Sequence, residues 1–146
     1  VSSDIVSSDS GPYATAEVCT SGTHWTGGTG HSMRPGNACI SCHERGGGPH
    51  FSAAGTVYKT AHEPVNCDGA PNIDVVLTGA DGVSVTLTTN SAGNFDTRAS
   101  IALPFTAKLV LGGNERQMAT PQMTGDCNEC HADPPLNGAP GRVMAP

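Results

Sequence analysis

Ile73-Asp74-Val75-Val76-Leu77-Thr78-Gly79-Ala80-Asp81-Gly82-Val83-Ser84-Val85-Thr86-Leu87-Thr88 is the stretch whose reading decides the fold. Ile73, Val75 and Leu77 alternate with Asp74 and Thr78, and Val83, Val85 and Leu87 alternate with Ser84, Thr86 and Thr88. A period of two places the apolar set on one face of an extended strand. Gly79-Ala80-Asp81-Gly82 between them supplies the turn residues of a connection between strands.

The same rhythm continues on both sides. Val57-Tyr58 opens the series, within a strand running from Gly55 to Lys59. Asn90-Ser91-Ala92-Gly93-Asn94 turns the chain again, and Phe95 to Ala99 gives a short strand. Phe105, Ala107, Leu109 and Leu111 then alternate with Thr106 and Lys108. Five short strands at this spacing predict a mainly β fold, a small antiparallel β-sandwich over residues 55–112. The order Gly55-Thr56-Val57-Tyr58, Val75-Val76-Leu77-Thr78 and Thr88-Thr89-Asn90-Ser91-Ala92-Gly93-Asn94-Phe95 resembles the carboxypeptidase-regulatory-like and Cna-B-like seven-stranded sandwiches. That resemblance implies a scaffold and no chemistry of its own.

Outside the sandwich the composition changes. Residues 1–18 read as an extended N-terminal arm, 19–54 as a Gly-rich segment, and 113–146 as loop ending in a Pro- and Gly-rich tail, all within one compact unit. Little helix is expected in these flanks. Only 36% of the 146 residues are hydrophobic and 4% aromatic, against 19 glycines and 11 prolines, which is a thin core for this length. Such a chain needs disulfides or the apolar surface of a cofactor to hold together.

Each flank carries the same pentapeptide pattern, Cys39-Ile40-Ser41-Cys42-His43 and Cys127-Asn128-Glu129-Cys130-His131. Two thiols at this spacing can add across the two vinyl groups of a haem, and the adjoining histidine is then placed to bind the iron. Two covalently attached haem c groups are therefore expected, with His43 and His131 as proximal ligands. The competing reading is zinc held by four thiolates, but zinc ribbons separate their pairs by about 15 to 20 residues. Here a whole predicted β unit intervenes, and zinc does not explain a histidine after each pair. A thioredoxin-like redox role lacks the βαβ surroundings it needs.

For the sixth iron positions the candidates are His24, His31, His50 and His62 with Met33, Met118, Met123 and Met144. His62, at a turn fixed by Glu63-Pro64, and His31, in a glycine-rich loop ahead of the first motif, are preferred. His24 and His50 are the alternatives, and Met33 is suited to packing on a porphyrin edge. Arg34, Arg45 and Arg142 are candidate partners of haem propionates. Cys19 and Cys67 remain once four cysteines are assigned, and an even remainder in an exported protein predicts a disulfide between them.

The formal net charge of −6, with seven basic residues scattered singly, argues against a nucleic-acid or anionic-membrane partner. No run of 18 apolar residues appears, so no integral membrane segment is expected. The start at Val1-Ser2-Ser3-Asp4 and the six cysteines read as a mature exported product, periplasmic or extracellular.

Met33-Arg34-Pro35-Gly36 before the first motif, Ala54-Gly55-Thr56-Val57-Tyr58, Gly125-Asp126 before the second motif and Ala139-Pro140-Gly141-Arg142 together look like a group of small exported dihaem proteins from Gram-negative bacteria. The resemblance implies electron transfer outside the cytoplasm. Motifs flanking a sandwich predict haems far apart within one chain, with electrons passing to other redox proteins or between copies stacked head to tail in a filament. A haem peroxidase and a haem-bearing adhesion or sensor module are the other classes open to the sequence.

Overall fold

The computed structural model describes residues 16–28, 30–46, 50–137 and 139–146. Apart from residues 16–18, the N-terminal arm expected over 1–18 lies outside them. The fold is mainly β, as the alternation predicts. In chain order come α1 (Cys39–Gly46), β1 (Ala53–Tyr58), β2 (Asp74–Thr78), β3 (Ser84–Thr88), β4 (Asn94–Thr97), β5 (Thr106–Leu111), β6 (Asn114–Gln117), α2 (Cys127–Cys130) and β7 (Val143–Met144).

Two sheets form the sandwich, one of order β4-β1-β7 and one of order β3-β2-β5-β6. Within the larger sheet all neighbours are antiparallel, with Val75 opposite Leu87 on one side and Leu109 on the other. Both expected turns are present: the Gly79 amide bonds the Val83 carbonyl at 2.9 Å, and the Asn90 amide bonds that of Asn94 at 3.0 Å. Gly82 and Gly93 take φ of 82° and 79°, a backbone region glycine enters without steric cost.

The sandwich outruns the expected 55–112 boundary. Gly112 and Gly113, both at positive φ, turn β5 back into β6, and the tail returns as β7, which pairs parallel to β1. Asn114-Glu115-Arg116-Gln117 is polar throughout and mostly exposed, so this edge strand leaves no alternating signal in the sequence. Two-residue β7 is too short to show one.

Ile73, Val75, Leu77, Phe95, Phe105 and Leu109 form the heart of the core. Along β1 all six residues are buried, because both faces of that strand are covered. Ala53 and Val57 join the core, while Thr56 and Tyr58 bond the loops on the other side, through Gly36 N at 2.9 Å and Cys67 O at 2.8 Å. The expected Cys19–Cys67 disulfide is formed and ties the first flank to the turn after β1. No helix among the described residues is long and apolar enough to cross a membrane.

Candidate functional site

Although a sandwich separates them in sequence, the two Cys-x-x-Cys-His segments lie side by side. β1 is the first strand after the first motif, and after the larger sheet the chain returns to that same strand. The Ala54 amide bonds the Gly125 carbonyl at 2.9 Å, and Ala54 bridges Asp126 in parallel. Gly125 is required there, since a Cβ would run into the Ser52 carbonyl.

From this anchor the Asp126 side chain crosses to the other motif. It sits at the N-cap position of its own helix, α2, but makes no cap bond there. Instead its carboxylate accepts from the Ser41 amide at 2.9 Å, the Ser41 hydroxyl at 2.8 Å and the Ile40 amide at 3.3 Å. It thus satisfies first-turn amides of α1 that have no partner within the helix. Asn128, inside the second motif, accepts from Thr56 N at 3.0 Å and donates to Asn37 O at 2.9 Å. The two motifs are therefore adjacent despite their separation in sequence, because β1 serves as the dock for both segments.

A cavity opens beside each motif. The first, about 370 Å³, is lined by Cys39, Cys42 and His43 together with His31, Met33 and Phe51. The second, also about 370 Å³, is lined by Cys127, Cys130 and His131 with Met118, Met144 and an apolar wall from the core. Both volumes fall within the roughly 300–1,000 Å³ typical of small-molecule and cofactor sites. Phe95 lines both cavities.

In the second cavity the His131 Nδ1 lies 2.8 Å from the Gly141 carbonyl. A carbonyl only accepts, so Nδ1 carries the hydrogen and Nε2 is left with the lone pair a metal would need. Burial pushes the His131 pKa down, partly opposed by that carbonyl, and so favours the neutral ring. In the first cavity His31 Nδ1 lies 2.9 Å from the Asp96 carboxylate. Asn90 and Asn94 pin the His31 carbonyl at 2.9 and 3.0 Å, fixing the loop against β4. The His43 ring packs against Phe51 with centroids 5.1 Å apart.

Cys39, Cys42, Cys127 and Cys130 are free thiols. Burial, with the Asp126 charge adding to it, pushes the Cys39 thiol up to about 12. Burial again leads at Cys127, also about 12, followed by Cys39 and Asp126. Among the described residues no three His, Cys, Asp or Glu side chains converge as a metal site would require.

The walls of the second cavity fit a haem on two independent counts. Its lining is largely apolar, which matches a porphyrin body, and two arginines on it keep a buried donor unused. Arg142 is 1% exposed; Nε donates to Glu63 O at 2.7 Å and Nη1 to Gly36 O at 2.8 Å, while Nη2 has no partner. Arg116 Nε is likewise buried and unpaired. Unsatisfied buried donors are costly, and an anionic group reaching this wall would satisfy them.

The other expected residues are distributed as follows. His62 Nδ1 lies 3.1 Å from Asp133, beside the second motif but outside the walls of either cavity. His24 bridges Cys67 on the exposed first flank, and His50 is exposed; neither lines either of these two cavities. Arg34 stacks over Trp25 at 5.0 Å, and Arg45 ends exposed on α1; neither lines either of the two cavities, whereas Arg142 lines the second. Met33 lines the first cavity and Met123 is exposed. Sequence reasoning passed over Asp96, Arg116, Asp126 and Asn128, whose positions follow no motif rule and acquire meaning only from what the fold sets opposite them. No family model, curated protein or solved structure matches this chain.

Proposed function

We propose that the chain is a dihaem c-type cytochrome that transfers electrons outside the cytoplasm. The observation that carries the reading is that each Cys-x-x-Cys-His segment borders its own cavity, the second with His131 Nε2 left available and two buried arginine donors unpaired. The four free thiols would add across vinyl groups, sulfur to one carbon and hydrogen to the other. A bound haem would supply the redox-active iron. The protein's part is to hold the axial side chains, satisfy the propionates and exclude water.

In this reading His43 and His131 would be the proximal ligands, and His31, oriented by Asp96, would be the further iron ligand at the first haem. For the second, Met118 and Met144 stand on the cavity wall, whereas His62 must approach from the Asp133 side. A disulfide fits an oxidising compartment, in keeping with export. Exchange partners are other redox proteins or further copies of the chain. A head-to-tail filament is no longer needed to bring two haems together, because the motifs already meet within one chain.

Export of the chain in a host with a haem-attachment system tests the reading. Intact mass should rise by two haems, and the alkaline pyridine spectrum should show thioether-linked haem. A product that stays colourless, with four alkylatable thiols, would overturn it. Low-spin spectra for both haems would separate an electron carrier from a peroxidase, which needs an open iron face and a distal acid or base.

A further inference from the structure

The contact between the motifs says how the two haems would work together, given the dihaem reading above. Three features fix their relation. Asp126 is 2% exposed and Asn128 likewise 2%, and together they bond α1, the turn before it at Asn37, and β1. Buried polar groups satisfied on several sides hold one geometry, since any shift would leave donors unpaired. The Asn128 amide nitrogen also approaches Cys39 Sγ to 3.8 Å, so a side chain of the second motif touches an attachment atom of the first.

The second feature is Phe95, a wall of both cavities, lying between them on β4. The third is Gly55. A Cβ there would meet the Phe95 ring at 2.8 Å and Cys127 Cβ at 2.9 Å, so glycine lets the ring and the second attachment cysteine close on β1 from the same side. The partition between the two sites is thus thin: one strand, one aromatic ring and two helix ends.

We infer that this chain holds its two haems as one rigid, electronically coupled pair, clamped by Asp126 and Asn128 and divided by Phe95, so that electrons pass between them inside a single molecule. Tunnelling falls off steeply with distance, and attachment through cysteines on touching segments would hold the two groups near one another. An electron entering at the mouth of one cavity can then leave from the other without a second copy of the chain. No residue between the sites needs to move, because the clamp is made of satisfied buried bonds.

The test uses the intact two-haem protein, with loading established first by mass. In fully oxidised protein the ferric spectra, measured by electron paramagnetic resonance, should be broadened by the neighbouring spin. Reduction by one electron equivalent should narrow them, since half of the pair loses its spin. The circular dichroism of the Soret band should be a two-signed couplet in dilute monomer, collapsing to a single sign in the C127A/C130A variant that keeps only the first haem. Protein with both haems, unbroadened resonances and a Soret signal of one sign would overturn the pairing while leaving the dihaem reading intact. Absence of haem by mass would instead strike at that reading. If the one-haem variant fails to fold, the comparison of fully oxidised and half-reduced wild-type protein decides alone.

Discussion

Asp126, next to the second motif, accepts two hydrogen bonds from Ser41, at 2.9 Å from its amide and 2.8 Å from its hydroxyl, across a sequence separation of 85. A carboxylate in this position caps a helix that is not its own, which makes the folding of each motif depend on the other.

Replacing Asp126 by Ala should therefore do more than remove a surface charge. The Ser41 and Ile40 amides and the Ser41 hydroxyl lose their shared acceptor in a half-buried setting. Bonds to a charged group contribute about 1.5–3 kcal/mol each, and lost caps about 1 kcal/mol. The expected loss of stability is about 3 kcal/mol by urea unfolding, with a lower yield of haem at the first motif by mass. An unchanged unfolding midpoint would show that α1 forms without this cap.

The alternation of Val75, Leu77, Val85 and Leu87 made the sheet legible because a half-buried strand must present its apolar side chains every second residue. Cysteine spacing likewise exposed both motifs and left Cys19 and Cys67 to pair. What stayed hidden depends on relations that carry no local pattern. Edge strand β6 is held by backbone bonds to β5, aided by a Lys108–Glu115 pair at 3.2 Å, and needs no apolar face. The adjacency of the motifs rests on Asp126 and Asn128, one beside the motif and one at its variable position, where the Cys-x-x-Cys-His pattern prescribes no residue. Arg142 was visible as a propionate candidate, but only the fold distinguishes it from Arg34 by burying one and stacking the other on Trp25.

Removal of the disulfide tests how far this thin core depends on it. Cys19 and Cys67 close a loop with a sequence separation of 48, for which the chain-entropy model gives about 4 kcal/mol of stabilisation. A C19A/C67A protein is expected to unfold at markedly lower urea, and the segment carrying Trp25 should become susceptible to protease first. The Tyr58 hydroxyl, which donates to the Cys67 carbonyl at 2.8 Å, would lose its fixed acceptor as that segment loosens. A change in stability below about 1 kcal/mol would show that packing, not the cross-link, holds this flank.

Arg142 should not tolerate Lys despite the retained charge. Its guanidinium serves the carbonyls of Glu63 and Gly36 at once and lies over the Tyr58 ring at 5.3 Å, a set that one ammonium cannot reproduce. The expected cost of Arg142→Lys is about 2 kcal/mol in urea unfolding. In the haem-loaded protein the reduction potential of the second haem should shift while that of the first holds. Equal shifts at both haems would contradict the placement of Arg142 on the second cavity alone.

His31 and Asp96 allow the proposed ligand assignment to be divided into a ligating and a positioning role. His31 lines the first cavity beside His43, and its Nδ1 is engaged by Asp96, leaving Nε2 as the nitrogen that can face a metal. His31→Ala should turn the first haem alone high-spin, whereas His24→Ala and His50→Ala, at exposed sites off both cavities, should change neither spectrum. Asp96→Asn keeps a side chain able to bond Nδ1 but removes the negative charge that makes the imidazole a stronger donor. The first haem should then remain low-spin with its potential raised, because less electron density reaches the ferric state. A purely structural Asp96 would instead lower stability without moving the potential. A low-spin first haem in His31→Ala would show that another side chain fills the sixth position.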